Sequence, residues 1–133
     1  MMRLALLLAF IVPAAMAQEV ACNPEGNQAE MNRCASDDLD KADAELNAAY
    51  AQIVATIKDE PVALERLKTA QRLWIQLRDA DLAAQFPLAD GQDARLAYGS
   101  IYPLEYADAK AELTRQRTAY LRRQFSARPG DSR

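Results

Sequence analysis

Ala70-Gln71-Arg72-Leu73-Trp74-Ile75-Gln76-Leu77-Arg78-Asp79-Ala80-Asp81 decides how this sequence folds. It holds the only Trp of the chain. Ala70, Leu73, Trp74, Leu77 and Ala80 recur at helical spacing, so the stretch is expected to be an amphipathic helix with that face inward. Two charges complicate the face. Asp81 falls near the middle of the apolar stripe when positions advance by about 100° each. Arg78 lies one turn after Trp74, at the stripe's margin. A buried charge without a partner costs several kcal/mol, so the rest of the chain has to supply partners.

Working outward, Asp59-Glu60-Pro61 precedes this helix and Phe86-Pro87 follows it. Pro61 suits a first helical position with Asp59 or Glu60 as cap, so the helix is expected over 61–85, with Leu64, Leu67, Ala70, Trp74 and Leu77 inward. Upstream, Met31, Cys34, Leu39, Ala42, Leu46, Ala49, Tyr50, Ile53 and Ile57 keep a long helical period. That predicts one helix over about 28–58, with Asn27 and Glu30 as a variant of the capping box. The acids Asp37, Asp38, Asp40, Asp43 and Glu45 crowd its first half, toward the positive end of the helix dipole.

Downstream, residues 88–100 carry Gly91 and Gly99 among scattered polar residues, which predicts mainly loop. A third helix is expected over 103–125, with Tyr106, Ala109, Leu113, Tyr120 and Leu121 inward, and 127–133 as a frayed tail. The expected fold is all-α: a three-helix antiparallel bundle forming one domain over 18–126.

The N-terminus has the form of a secretory signal peptide: Arg3, the apolar run Leu4 to Val12, and the small-residue site Ala15-Met16-Ala17. The run is well short of the roughly 20 apolar residues of a membrane span. Residues 1–17 are therefore set aside from the fold, and no later segment is apolar enough to cross a bilayer. The expected compartment is periplasmic or extracellular. Removing Arg3 from the 16 basic residues leaves 15 against 19 acidic, a net charge of −4. A chain of that charge is a poor general ligand for nucleic acid, where affinity comes from neutralising phosphates. In an oxidising compartment Cys22 and Cys34 are expected to form one disulfide, closing a short loop and contributing about 3 kcal/mol. Lipidation of Cys22 is disfavoured, because Glu19-Val20-Ala21 lacks the apolar residue expected three places before it and Cys34 would be left odd.

Chemistry is scarce. The chain has no His, which removes the commonest general base and the usual partner of a Ser or Cys nucleophile. Metal binding lacks His and a zinc-like Cys spacing, and the acidic run 37–43 has no calcium-loop glycine. No cofactor is expected. Folding the three helices together brings Asp43, Asn47, Gln71, Trp74, Arg78, Asp81 and Arg117 to about one level. The expectation is a polar layer in which Asp43 binds an Arg and an Arg plane lies on the indole. Such a layer serves either to fix helix register or to bind a ligand.

The series Glu30-Met31-Asn32-Arg33-Cys34-Ala35, Ala42-Asp43-Ala44-Glu45-Leu46-Asn47-Ala48-Ala49-Tyr50, Ala70-Gln71-Arg72-Leu73-Trp74-Ile75, Arg78-Asp79-Ala80 and Leu113-Thr114-Arg115-Gln116-Arg117 resembles the LprI-type lysozyme inhibitor family. The resemblance runs from about Cys22 to Leu121. It implies a small exported helical protein, and lysozyme inhibition after the member that names the family. Relatives often carry a second Cys pair joining the second and third helices; the matching positions here are Leu82 and Ala109. On this reading the partner is a basic, lysozyme-like cell-wall hydrolase, with Asp90, Asp93 and Tyr98 of the 86–102 segment as a candidate contact. The alternative is an envelope-maintenance module with no hydrolase target.

Overall fold

The computed structural model describes residues 19–126. The signal peptide expected over 1–17 and the tail expected over 127–133 lie outside the described residues. Four helices follow in order: α1 (Gln28–Thr56), α2 (Pro61–Gln85), α3 (Ala94–Tyr98) and α4 (Tyr102–Ser126). No strand occurs among the described residues. The count is four rather than three, because the segment expected as mainly loop contains α3.

Local chemistry sets most of the boundaries. Asn27 caps α1: its Oδ1 accepts from the backbone N–H of Ala29 at 2.9 Å and of Glu30 at 3.1 Å. Glu30 reaches back to accept from the Asn27 N–H at 2.8 Å, completing the capping box. Ile57 is the C-cap, so α1 stops two residues before the expected Lys58. Pro61 opens α2 after Glu60, whose side chain makes no capping bond. Asp93 caps α3 by accepting from the Leu96 N–H at 3.0 Å. Gly99 ends α3 at φ 81°, a conformation that favours glycine. At the N-terminus Cys22 and Cys34 form the expected disulfide, tying the lead-in to the first turns of α1.

Helix direction follows from pairs along the length. Asn32 donates to the Ser100 carbonyl at 3.1 Å just before α4, Asp43 meets Thr114, and Leu46 and Ile53 cluster with Leu121. Hence α1 and α4 run parallel. Gln71 meets Arg117, and Phe86 meets Tyr102 and Tyr106, so α2 runs opposite to both.

The tightest seam is between α1 and α4. Along α1 it uses Ala35, Leu39, Ala42, Leu46, Ala49 and Ile53; along α4 it uses Ala107, Ala111, Thr114, Thr118, Leu121 and Phe125. Both series step by four and three residues alternately, the period of a coiled-coil seam. Small residues at most of these positions let the backbones approach closely. Thr114 and Thr118 are buried because their hydroxyls find partners: Thr118 donates to the Thr114 carbonyl at 3.1 Å, and Thr114 donates to Asp43 at 3.5 Å.

The inward face of α4 is therefore turned from the expected one. Leu121 is fully buried and Tyr106, Ala109 and Leu113 are half-buried, but Tyr120 is exposed. The two threonines act as small core residues and shift the face toward themselves.

The face of α2 also differs. Leu64, Leu67, Gln71, Trp74, Arg78 and Leu82 turn inward, with Leu67 and Leu82 buried, while Ala70, Leu73, Leu77 and Ala80 are exposed. Of the residues expected inward, Leu64, Leu67 and Trp74 face the bundle and Ala70 and Leu77 do not. A core cluster of Leu46, Ile53, Ile57, Leu67 and Leu121 fills the end where α1 turns into α2, with Trp74 and Phe125 against it.

Two substitutions separate the seam from the outer face. Ala111→Leu, at a fully buried seam position, is expected to destabilise the fold by about 1–3 kcal/mol in urea unfolding, because overpacking forces the helices apart. Ala51→Leu, on the exposed side of α1, is expected to change it by less than about 0.5 kcal/mol.

Candidate functional site

Gln71, Trp74 and Arg78 share one face of α2 because they are spaced by three and four residues. Arg117 approaches from α4. Its Nε donates to the Gln71 Oε1 at 3.1 Å, and its guanidinium carbon lies 5.7 Å from the centre of the Trp74 ring and 5.3 Å from that of Tyr120. The Arg78 guanidinium lies 5.2 Å from the same indole, with its side chain only 12% exposed. One indole thus attracts two cations, each within cation–π range. Arg78 is neutralised by its neighbour Asp79 at 2.8 Å. Arg117 forms no ion pair with a described carboxylate, and burial pushes its pKa below the ordinary arginine value. It stays a cation at neutral pH.

The α1 side of the expected layer is separate. Asp43 accepts from Thr114 and forms no ion pair with a described arginine, which corrects the expected Asp43–Arg bond. The nearest acid-to-arginine link between α1 and α4 is instead Asp38 with Arg115 at 2.7 Å. Asn47 is exposed and lines a groove of about 460 Å³ between α1 and α2, together with Tyr50, Lys68, Gln71 and Arg72. Asp81 is exposed and forms no ion pair with a described residue, because the inward face of α2 turns it to solvent.

In the 86–102 segment, Asp90 is exposed while Asp93 and Tyr98 are engaged internally. Asp93 caps α3, and the Tyr98 hydroxyl donates to the Pro87 carbonyl at 2.7 Å. Leu96, at 88% exposure, is the residue α3 presents outward.

Charge is sharply divided along the bundle. Because α1 and α4 are parallel, with Asp38 level with Arg115 and Asp43 with Thr114, and α2 is opposite, residues 19–45 and 78–116 make up one end. They carry 15 acidic and 6 basic side chains. Residues 46–77 and 117–126, at the other end, carry 3 acidic and 7 basic. One end is therefore at −9 and the other at +4, a division that the small net charge conceals.

The signature of the family described as lysozyme inhibitor LprI matches residues 20–121. The chain belongs to the LprI family. A Rhizobium meliloti (strain 1021) protein, described as uncharacterized, is 41% identical over 131 residues, covering 90% of this chain and 89% of that one. No solved structure matches the chain.

This LprI chain also holds an aromatic cluster that sequence reasoning missed. Phe86 packs edge-on against Tyr98 and Tyr102 at 5.9 and 5.6 Å and tilted against Tyr106 at 5.8 Å, and Tyr98 stacks on Tyr102 at 5.5 Å. Burial, and after it the neighbouring Tyr106 and Tyr98, push the Tyr102 hydroxyl above its ordinary range. The signal was present as Tyr98, Tyr102 and Tyr106 at intervals of four. It was obscured because it crosses a glycine break. The cluster fastens α3 and the end of α2 to the start of α4.

Trp74 reports on its own surroundings. Arg117→Ala is expected to shift its emission to longer wavelength, as the ring loses its cover, and to cost about 1–2 kcal/mol in urea unfolding. Lys41→Ala, exposed on α1 and outside the layer, is expected to leave both readings in place.

Proposed function

We propose that this LprI-family protein is an exported inhibitor that binds a basic, lysozyme-like cell-wall hydrolase through the acidic end of its bundle. The observation that carries the reading is the division of charge. A net −9 at one end is a directed field, and such a field speeds encounter with a basic partner and orients it on arrival. Asp40 and Glu45 on α1 and Asp108 and Glu112 on α4 stand exposed on that end, and Asp90 extends the same charge beyond α2. The family's description supplies the class of target. Export is supported by the signal-peptide pattern of residues 1–17 and by the Cys22–Cys34 disulfide, a bond that persists in oxidising compartments. The protein acts by occupying the enzyme and carries out no reaction of its own.

The test is a lysozyme activity assay with the oxidised chain from residue 18 onward, at low and moderate salt. Stoichiometric inhibition that weakens as salt rises is expected, because screening removes the steering field. Asp40→Lys combined with Glu45→Lys is expected to slow association roughly tenfold at low salt with little change in dissociation, while circular dichroism stays that of the parent. Absence of inhibition of several lysozyme types at large molar excess overturns the reading in favour of an envelope-maintenance module with no hydrolase target.

A further inference from the structure

The apolar stripe that opens onto solvent along α2 has no use in the fold just described. Ala70, Leu73, Leu77, Ala80 and Ala84 are all exposed, with Leu73 and Leu77 each at 59%. Their steps of three, four, three and four residues place them within an arc of about 80° and over about 21 Å of helix. That is the spacing of a helix-pairing seam, repeated on the side away from the bundle.

The charges of α2 say what fits there. Its N-terminal part holds Glu65, Arg66, Lys68 and Arg72, a net of +2; its C-terminal part holds Arg78, Asp79 and Asp81, a net of −1. The first turn has no acid and the last turn has no base, so neither end complements the helix dipole. Nor does the order suit the rest of the bundle, since it places positive beside positive and negative beside negative. It does suit an antiparallel copy of the same helix. Arg66 and Asp81, near opposite ends of the stripe, are exposed and form no ion pair with a described residue.

We infer that the outer face of α2 is a self-association surface on which two copies pair α2 against α2, antiparallel, about a twofold axis between Leu73 and Leu77. Such an axis makes the contact closed, with the same patch used by both copies. Leu73 of one copy meets Leu77 of the other, and Ala70 meets Ala80. Arg66 of one copy comes within a helical turn of Asp81 of the other. The whole bundle follows the same logic, because antiparallel pairing sets the −9 end of one copy beside the +4 end of the next. The surface is distinct from the acidic faces of α1 and α4, so it stands or falls separately from hydrolase binding.

The test is sedimentation velocity of the oxidised chain from residue 18 onward, over a concentration series at low salt. A dimer that dissociates on dilution is expected. Leu77→Glu is expected to give a monomer throughout, with unchanged circular dichroism, because the side chain is already exposed. Arg66→Asp alone and Asp81→Arg alone are each expected to weaken the dimer roughly tenfold, and the two together to restore it. A monomer at every concentration overturns the inference. So does a dimer indifferent to Leu77→Glu, or a double variant as weak as the single ones. Loss of lysozyme inhibition by Leu77→Glu in a chain that is monomeric at every concentration also overturns it, and assigns the face to the hydrolase.

Discussion

Close packing of α1 on α4 is the constraint from which the other features follow. Ala35, Ala42 and Ala49 on one helix and Ala107, Ala111, Thr114 and Thr118 on the other leave little between the two backbones. The helices run parallel, so both N-termini and the acids near them come to the same end. Concentrating like charge opposes compaction. Here the positive ends of two helix dipoles point into the acidic region and offset part of that repulsion, while Arg115 and Arg123 follow toward the negative end of α4. The seam and the charge division are thus one arrangement seen at two levels.

The second helix is held differently. It lacks a small-residue seam and is attached at separate places: Leu67 in the core cluster, Trp74 against Arg117, and Phe86 among three tyrosines. At the middle attachment, a cation–π contact replaces the carboxylate that a half-buried arginine would ordinarily require. That contact is tolerable because Arg117 keeps one hydrogen bond to Gln71 and some access to water, so its desolvation is incomplete. Leu82, fully enclosed near the far end of α2, adds apolar packing there.

The long helices were legible in the sequence because their ends are chemically marked, by the Asn27–Glu30 capping box, Pro61, Phe86-Pro87 and Pro103. Their faces were less so. On α4 the seam runs through threonines, which count as polar in a pattern but bury well once their hydroxyls are bonded, Thr118 within its own helix and Thr114 to Asp43. On α2 the more apolar stripe, Ala70-Leu73-Leu77-Ala80, lies outside, and the stripe with Gln71 and Arg78 lies inside. Hydrophobic periodicity finds a helix but does not say which apolar face its own chain will cover. The meeting of Gln71, Trp74, Arg78 and Arg117 was readable from the level each reaches in an up-down-up bundle. The engagement of Asp43 by Thr114 was not, because it depends on the rotation of α4. The division of charge needed only helix direction added to the sequence.

The order of charges on α2 separates stability from function. A helix lying antiparallel between two neighbours would gain most from acids at its own N-terminus, where it meets the basic second half of α4 and the uncharged stretch of α1 after Glu45. It has Arg66, Lys68 and Arg72 there instead. Surface charges of this kind contribute only a few tenths of a kcal/mol each to folding, so the fold tolerates the choice. Their effect outside the molecule is larger, because fields from charges on one end add over distances comparable to the Debye length of about 10 Å at moderate salt. A reversed α2 would partly cancel the poles made by α1 and α4, whereas the present order strengthens both. The small stability lost within one chain is the condition for a strong directional field around it. On the proposed reading, in which the protein binds a basic partner, that exchange favours the encounter.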